Sequence, residues 1–392
     1  MRSEWKTVAL GEIVNFSSGG TPSKKSKEYW NGDISWISAK TMKEERISSS
    51  DLCITHEGLL NGSKLAPKGS ILLLTRGSGL FNRVPICLVD KPVAFNQDVK
   101  CLRSCSEEVS NKYIFYWLLS QEGYLQAKLD VTGIGAGKLD MDLLRNLSVP
   151  LPSKQEQDLL VSFFDALSDK IMLNKQINDN LQQQAFAFFD RLMIEADNDD
   201  CTVSDYADLN PRRVLAKHQI ARSIDMSQLS TSGAFPSGWE MKPFNGGMRF
   251  TNGDTLLARI TPCLENGKTA FIDFLDEGEV AFGSTEYIVL APRKNVPPEM
   301  PYCLARYPAF VDYAVKNMNG SSGRQRVSAE TIGQFRLPKF DEQSLLKFGE
   351  AVKPMFLKMR YNSLENIRLA ELRDALLPKL MSGELDVSGI QL

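Results

Sequence analysis

The chain has 392 residues, of which 43% are hydrophobic and 24% charged, a balance ordinary for a soluble globular protein with room for two or more domains. No apolar run approaches the roughly 18 residues that span a bilayer, and residues 1–5 do not open like a signal peptide. The seven cysteines are odd in number and never spaced C-x-x-C, which favours reduced thiols in a cytoplasmic protein over a disulfide framework.

The net charge of −2 is distributed unevenly. Residues 1–150 hold 19 basic and 16 acidic residues, and residues 201–340 hold 16 and 14. Residues 151–200 hold 4 basic against 10 acidic residues, and residues 341–392 hold 7 against 8. The mildly basic parts permit binding to DNA without requiring it, since an ordinary soluble enzyme has a similar composition.

Residues 1–152 alternate short β-rich runs with turns of glycine, asparagine and proline. Residues 67–76 read as a glycine turn and a buried strand that ends in arginine, and residues 111–119 have helical character. This mixture predicts an α+β class, with a first α/β domain built on a twisted, mostly antiparallel sheet.

Residues 153–196 have a different pattern, that of one long spacer helix. Apolar positions alternate at intervals of four and three, which is the seam of a coiled coil. The seam positions are Leu160, Phe164, Leu167, Ile171, Asn174, Asn178, Leu181, Ala185, Phe188 and Leu192.

Residues 197–340 repeat the organisation of residues 1–152 with a period near 186 residues. The matching segments are 149–157 with 335–343, 67–76 with 252–259, and 8–15 with 203–210. The first of these matches aligns Pro152 with Pro338. Because the matches occur in the same order, we expect a duplication and a second domain of the same class.

The apolar pattern of residues 341–385 predicts a second spacer helix with its own seam. Its seam positions are Phe348, Val352, Met355, Met359, Asn362, Asn366, Leu369, Leu376 and Leu380. Each seam is interrupted by one Asn-x-x-x-Asn pair, and a polar seam residue costs stability but rejects misaligned pairings. We therefore expect Asn174, Asn178, Asn362 and Asn366 to fix the register of the helix pair and the docking of a partner.

Antiparallel packing of the two helices brings the asparagine pairs together. Parallel packing would do so too, but a chain in the order domain, helix, domain, helix closes most simply when the second helix returns toward the first domain. The antiparallel arrangement would make the fold pseudo-twofold, with the two domains at opposite ends of a rod about 60 Å long. Pro354 lies inside the second seam, where it removes a backbone hydrogen bond, so we expect a kink or break there.

Signs of catalysis are few. Cys53 and His56 form a C-x-x-H pair without a second half, which argues against a metal site. The amino-methyltransferase tetrapeptide, Asp or Asn followed by Pro-Pro and an aromatic residue, does not occur, and no nuclease cluster of carboxylates and lysine stands out. Residues 133–138, Gly-Ile-Gly-Ala-Gly-Lys, lack the spacing of a phosphate loop, and Leu139 stands where a magnesium-binding hydroxyl belongs.

Glycine-rich loops with cations occur at equivalent places, residues 133–138 and 320–326. Bare backbone amides and a basic side chain can approach DNA closely, and the guanidinium fork suits the major-groove edge of guanine. The predicted DNA contacts are Lys24, Lys25, Lys27, Lys40, Arg76, Lys138, Arg249, Arg259, Arg324, Gln325 and Arg326. Any one of these cations alone can be a solvated surface charge, so the prediction concerns the set.

Together, these features resemble the specificity subunit of type I restriction–modification systems. The resemblance is carried by Ile171–Asn178 and Asn180–Ala185 in the first helix, by the C-terminal Leu372–Leu385, and by the Gly-Gly-Thr-Pro-Ser loop at 19–23 with Tyr29–Trp36. It covers nearly the whole chain. The second domain lacks the loop at 19–23, so contacts cannot be transferred between the domains one for one.

The resemblance implies two target-recognition domains that read the halves of a split, asymmetric DNA site. It implies two methyltransferase subunits docked on the spacer helices, which use S-adenosylmethionine to methylate adenine at N6. A restriction subunit using ATP and Mg²⁺ is a further implied partner. This chain itself would hold no cofactor or metal and catalyse nothing.

Three alternatives remain open from the sequence. One is a catalytic DNA methyltransferase or nuclease, and another is a coiled-coil scaffold that does not bind DNA. The third is a specificity factor of a related phage-defence system.

Overall fold

The computed structural model describes residues 5–131, 135–321 and 323–386, with the backbone alone for residues 197–200. The chain divides into two compact units, Met1–Ser168 with Glu371–Leu392, and Asp169–Ala370. Each unit therefore contains one globular domain and a segment of both long helices. The domain boundaries expected at residues 152, 196 and 340 stay predictions.

The first domain is built of short strands and short helices. Its strands are β1 (Lys6–Ala9), β2 (Val14–Ser18), β3 (Trp30–Ile37), β4 (Arg46–Ile47), β5 (Cys53–Ile54), β6 (Lys64–Ala66), β7 (Ile71–Leu74), β8 (Arg76–Gly77), β9 (Ile86–Val89), β10 (Val93–Phe95), β11 (Val99–Ser104), β12 (Asp130–Val131), β13 (Gly137–Lys138) and β14 (Ser148–Leu151). Its helices are α1 (Leu10–Ile13), α2 (His56–Gly62), α3 (Asn111–Ser120), α4 (Glu122–Ala127) and α5 (Met141–Arg145), followed by the long helix α6 (Lys154–Glu195).

Two sheets form the centre of this domain, in the strand orders β2-β11-β7-β9-β4 and β5-β3-β10-β6. Their neighbours are antiparallel except in the pairs β3–β10 and β4–β9, so the expected mostly antiparallel pairing is confirmed. Every residue of β7 and β9 is buried because both faces of the larger sheet are covered. Helix α3 closes the core, and its Tyr116 ring lies 5.2 Å from the Phe164 ring of α6.

The second domain has a corresponding set of elements. Its strands are β15 (Asp197–Thr202), β16 (Ala207–Leu209), β17 (Ile220–Ile224), β18 (Glu240–Pro243), β19 (Met248–Phe250), β20 (Thr255–Ala258), β21 (Thr269–Phe271), β22 (Ala281–Gly283), β23 (Tyr287–Pro292) and β24 (Arg336–Lys339). Its helices are α7 (Val203–Tyr206), α8 (Glu299–Arg306), α9 (Pro308–Lys316) and α10 (Ala329–Gly333), followed by the long helix α11 (Glu342–Met381).

The sheets of the second domain repeat the connectivity of the first. The orders β16-β23-β20-β21 and β18-β17-β22-β19 match β2-β11-β7-β9 and β5-β3-β10-β6 strand for strand. The parallel pair β17–β22 takes the place of β3–β10. The predicted duplication is therefore confirmed in the topology.

The register of the repeat differs from the sequence alignment near the helix starts. β1 pairs with β14 so that Ala9 faces Ser148, and β15 pairs with β24 so that Thr202 faces Arg336. Ser148 and Arg336 therefore occupy equivalent positions. Two residues further along each strand, Pro150 is the counterpart of Pro338. The alignment of Pro152 with Pro338 is wrong by two residues, because it was set by the match of Glu156-Gln157 with Glu342-Gln343. The strand register fixes the true correspondence.

The two long helices run antiparallel, as expected. In the second unit, Asn174 Nδ2 donates to Asn366 Oδ1 at 2.9 Å, and Asn362 Nδ2 donates to Asn178 Oδ1 at 2.8 Å. A later residue of α6 thus contacts an earlier residue of α11, so the two helices run in opposite directions. In the first unit, Leu160 of α6 shares a core with Leu380 of α11.

One predicted seam position is wrong. Phe188 is 39% exposed, whereas its neighbour Phe189 is 1% exposed. The Phe189 ring lies 6.1 Å from Phe348 of α11 and 5.7 Å from Tyr307 of the second domain. This end of α6 packs on a domain as well as on a helix, so its buried face rotates away from the simple heptad.

Of the kink or break expected at Pro354, the break is wrong, because α11 continues from Glu342 to Met381. Pro354 is exposed, while Val352 and Phe356 on either side are buried. Proline leaves the carbonyl of Glu350 without its intrahelical donor, and Glu350 is an exposed residue. Apolar burial of Val352 and Phe356 holds the helix.

Candidate nucleic-acid interface

The loops of the first domain that carry its predicted contacts leave one edge of its sheets. At this edge Ser18 pairs with Lys100 and Leu74 pairs with Val99, so β2 and β7 end where β11 begins. The turn Asn96–Asp98 joins the end of β10 to the start of β11 at the same place. The loops at this edge contain residues 19–29, 38–41, 75–77, 96–98 and 137–138. We call this set of residues the first loop edge.

The Gly-Gly-Thr-Pro-Ser loop is fixed to this edge by close backbone approaches. Gly20 N–H donates to Phe95 O at 2.9 Å, and a Cβ on Gly19 would lie 2.0 Å from that same oxygen. Only glycine permits this contact. Thr21 Oγ1 donates to Gln97 Oε1 at 2.7 Å.

Two tryptophans complete the anchoring. Trp36 Nε1 donates to Gly20 O at 3.0 Å, Trp30 Nε1 donates to Ser23 O at 3.1 Å, and the two rings contact edge to face at 5.4 Å. The loop and the strand after it form one rigid unit, so loop residues that bind a ligand lose little further conformational entropy.

The six predicted cations of this domain are all exposed on the first loop edge. They are Lys24, Lys25, Lys27, Lys40, Arg76 and Lys138. Within the part of the chain that the structure describes, none of them has an ion pair or a side-chain hydrogen bond. The structure therefore brings six exposed cations together at one edge of the domain.

Two of these cations face each other across a strand pair. β13 pairs with β8, so Lys138 lies beside Arg76, and β12 places Asp130 on the other side of Lys138. Like charges side by side repel, and Asp130 offsets part of that repulsion. Gly133 and Ile134 of the predicted loop lie outside the described residues.

The second domain has an equivalent edge, whose cations are arranged differently. Arg259 follows β20, and its N–H donates to Glu286 O at 3.0 Å, as Thr75 N–H donates to Asp98 O in the first domain. The Arg326 guanidinium forms an ion pair with the Glu286 carboxylate at 2.7 Å. This contact and the nearby Arg259 hold the pKa of the Glu286 carboxyl below its usual range.

The other predicted residues of the second domain lie close to that edge. Arg249 is on β19 with its guanidinium 5.7 Å from the Phe244 ring centre, and Arg324 is exposed in the loop before α10. Gln325 contributes its backbone, since its carbonyl accepts from Thr261 N–H at 3.0 Å. Ser322 in this loop lies outside the described residues.

Sequence reasoning missed cations on both domains. Lys100 lies on β11 at the first loop edge, where its Nζ donates to Ser18 Oγ at 2.6 Å and burial lowers its pKa. Arg212 and Lys217 are exposed in the loop that follows β16. That loop replaces the lysine loop after β2, and aligning the sheets rather than the identical residues would have identified it.

The asparagine cluster joins α6 to α11 within the second unit. Asn174 and Asn362 are fully buried, and Asn174 Nδ2 also donates to Glu365 Oε2 at 2.7 Å. That hydrogen bond, with the ion pair from Lys170 at 3.1 Å, lowers the pKa of Glu365. Because buried amides need particular partners, this cluster specifies one helix register.

Two features are absent from the residues that the structure describes. No group of three or more histidine, cysteine, aspartate or glutamate side chains there has the arrangement of a metal site. No described helix is both long and apolar enough to cross a bilayer.

Comparison with known proteins gives consistent matches. Residues 2–183 match the family described as the type I restriction modification DNA specificity domain. The EcoR124I/EcoR124II specificity subunit of Escherichia coli is 34% identical over 195 residues, which is 48% of this chain and 48% of that subunit. The MjaIX specificity subunit of Methanocaldococcus jannaschii is 23% identical over 98% of this chain and 94% of that subunit. The chain thus matches about half the length of the first relative and nearly all of the second.

A solved structure shows a similar fold. The S subunit of the type I restriction–modification system from M. genitalium superposes with a TM-score of 0.55 and 18% sequence identity. The alignment covers 97% of this chain and 96% of that one.

Proposed function

Since the chain belongs to the family of type I restriction–modification specificity subunits, we propose that it selects the DNA site on which such a system acts. Its first domain reads one half of a split, asymmetric site through the first loop edge, and its second domain reads the other half. The chain is a non-catalytic subunit and binds no cofactor of its own.

The observation that carries this proposal is the set of six exposed cations on the first loop edge. Phosphate neutralisation supplies much of the affinity of proteins for DNA, and unpaired lysines need not break an ion pair before they bind. The rigid anchoring of the lysine loop on Trp30 and Trp36 favours a binding surface over a solvated tail.

The long helices supply the second part of the proposal. They space the two readers, and the asparagine cluster fixes their register, so that the gap between the half-sites is constant. Two methyltransferase subunits dock on these helices, bring S-adenosylmethionine and methylate adenine at N6. A restriction subunit that uses ATP and Mg²⁺ is a further partner of the assembled complex.

Salt-dependent DNA binding tests the proposal. We expect Lys24→Gln with Lys25→Gln to weaken duplex binding for all sequences alike. The slope of log K against log salt should become shallower by about 1 for each phosphate that is no longer neutralised, thus by up to about 2. Binding is measured with the full chain, alone and with its methyltransferase partner, from low to moderate salt.

A matched control removes two lysines from the same domain. Lys68 and Lys91 are also exposed, but they lie in the turns before β7 and β10, at the opposite edge of the sheets. Lys68→Gln with Lys91→Gln should leave the salt slope unchanged. Equal effects of the two pairs, or no salt-dependent binding by the wild type, would contradict the proposal and favour a scaffold that does not bind DNA.

A further inference from the structure

The second domain holds one arginine in an unusually constrained position. Arg326 and Asn319 exchange two backbone hydrogen bonds of 2.9 Å, and Arg326 also forms a bridge with Ile260. Arg326 is thus the base of a short hairpin whose turn contains Gly320 and Gly323, both with positive φ, at 128° and 79°. The backbone of Arg326 is fixed on both sides, at the edge where the loops of this domain emerge.

The guanidinium of Arg326 is fixed as well. Its Nε lies 2.9 Å from both Glu286 carboxylate oxygens, and its Nη2 lies 2.7 Å from Oε1. Its Nη1 donates to the carbonyl of Arg324 at 3.0 Å. An arginine side chain has five N–H donors, and these contacts occupy three of them. Among the residues that the structure describes, one hydrogen on each terminal nitrogen has no partner, and the side chain is 39% exposed.

The carboxylate that holds this arginine is itself positioned by the turn before β23. Glu286 N–H donates to Ser284 Oγ at 3.1 Å, and Glu286 O accepts from Arg259 N–H at 3.0 Å. The hydrogen bonds from Arg326 keep the Glu286 pKa low, so the carboxylate is ionised at neutral pH. A fixed anion thus orients a fixed cation.

We propose that Arg326 reads a guanine in the second half-site and that Glu286 is the positioning residue that aims it. This inference rests on the proposed function. The N–H donors left on the two terminal nitrogens can serve the two acceptors, N7 and O6, on the major-groove edge of guanine. Because Glu286 already orders the side chain, base binding does not bear the entropic cost of immobilising an arginine.

The first domain has no ion pair equivalent to Arg326 and Glu286 among its described residues. Strand register makes Lys138 the counterpart of Arg326, since Leu139 N–H donates to Thr75 O just as Val327 N–H donates to Arg259 O. The carboxylate equivalent to Glu286 is Asp98, and the structure gives Lys138 no ion pair with it. A lysine is a point charge without a planar fork, so Lys138 suits a phosphate and provides a matched control.

The test uses the full chain with its methyltransferase partner. The methylated motif is mapped first in host DNA, and duplexes of that motif are then made with 7-deazaguanine, which lacks the N7 acceptor, at each guanine in turn. At one guanine we expect the substitution to weaken wild-type binding about tenfold to a hundredfold and to have no further effect on Arg326→Gln. Arg326→Lys should behave like Arg326→Gln because charge alone does not restore the fork.

The variant Glu286→Gln tests whether Glu286 orients the Arg326 side chain toward the base or only stabilises the fold. We expect discrimination at that guanine to fall, while affinity for mismatched duplexes rises because a negative charge near DNA has been removed. Glu286→Asp should recover part of the discrimination. Lys138→Gln should weaken all duplexes alike without selecting any base.

The outcomes distinguish this inference from the proposed function. If Arg326→Gln keeps full discrimination at every guanine, Arg326 is a structural ion pair and the inference is wrong. If the wild type shows no sequence preference at all, the proposed function fails and the inference fails with it. Unchanged discrimination in the other half-site by the same variant shows that the chain is folded.

Discussion

The two domains share one topology but hold their positive charge in opposite ways. The first loop edge presents six exposed cations, five of them lysines, without described partners, whereas Arg326 in the second domain is bound to Glu286 at 2.7 Å. Free lysines suit phosphates of any sequence, and an oriented guanidinium suits one base. A duplicated fold can therefore divide positioning and specificity unequally between its copies.

The largest expected effect concerns the anchoring of the lysine loop. Trp36 is 6% exposed and holds Gly20 through its indole N–H. We expect Trp36→Ala to lower the free energy of unfolding by about 3–5 kcal/mol, the usual cost of removing a large buried ring. Denaturant unfolding followed by DNA titration measures both consequences.

The second domain offers the comparison for that variant. Trp239 is half-buried and stacks on Phe274 at 5.0 Å, with Arg222 over its ring. Trp239→Ala should lower the free energy of unfolding by less than Trp36→Ala does. The Trp239 ring buries less apolar area in the folded protein, and no described hydrogen bond of its indole is broken. An equal or larger cost would show that the anchoring of the first loop edge is not special.

An intermediate effect is expected at the asparagine cluster. Asn174→Leu removes a donor from Asn366 and Glu365 in a buried seam, so helix pairing should lose about 1–3 kcal/mol. Adding Asn366→Leu should recover part of that loss, because two apolar residues then face each other. A double-mutant cycle measures the coupling energy, and strictly additive losses would contradict the register role.

The smallest effect is a pH dependence in the second domain. Helix α3 begins at neutral Asn111, whereas α8 begins at Glu299, whose pKa is raised by burial and by Asp273. A raised folded-state pKa means that the ionised form is the costly one, so stability falls as pH rises through that pKa. We expect Glu299→Gln to stabilise the chain by about 1 kcal/mol at neutral pH.

That gain should disappear below the ordinary pKa of glutamate, where the wild-type carboxyl is protonated in both states. Thermal unfolding of both proteins between acid and neutral pH tests this. Asn111→Gln, which titrates at no pH, is the control in the first domain. A constant difference across the pH range would show that the Glu299 effect is one of packing.

The sequence predicted the long helices better than it predicted which residues pair with each other. The long helices and their asparagine pairs followed from heptad spacing, because a seam repeats over many turns. The antiparallel direction followed from the order of domains and helices along the chain. Phe188 failed as a seam residue because the second domain, rather than α11 alone, buries that face of α6. Pro354 did not break α11, since burial of its neighbours outweighs the one backbone hydrogen bond that proline removes.

The candidate interface was predictable in part. Lysines beside glycines mark exposed loops, and the structure indeed places Lys24 and Lys40 on one edge of the first domain. The ion pair of Arg326 with Glu286 joins residues 40 positions apart, and only the sheet register reveals it. Arg212 was missed because the loop after β16 shares no residue pattern with the loop after β2.

The most direct test that each domain reads its own half-site is a domain exchange. Residues 197–340 are replaced by a second copy of residues 1–152, and the methylated motif is mapped in a host that also carries the methyltransferase partner. We predict that the motif loses its second half and contains the first half-site twice, across a gap of unchanged length. Retention of the original asymmetric motif by the folded exchange variant would contradict the account.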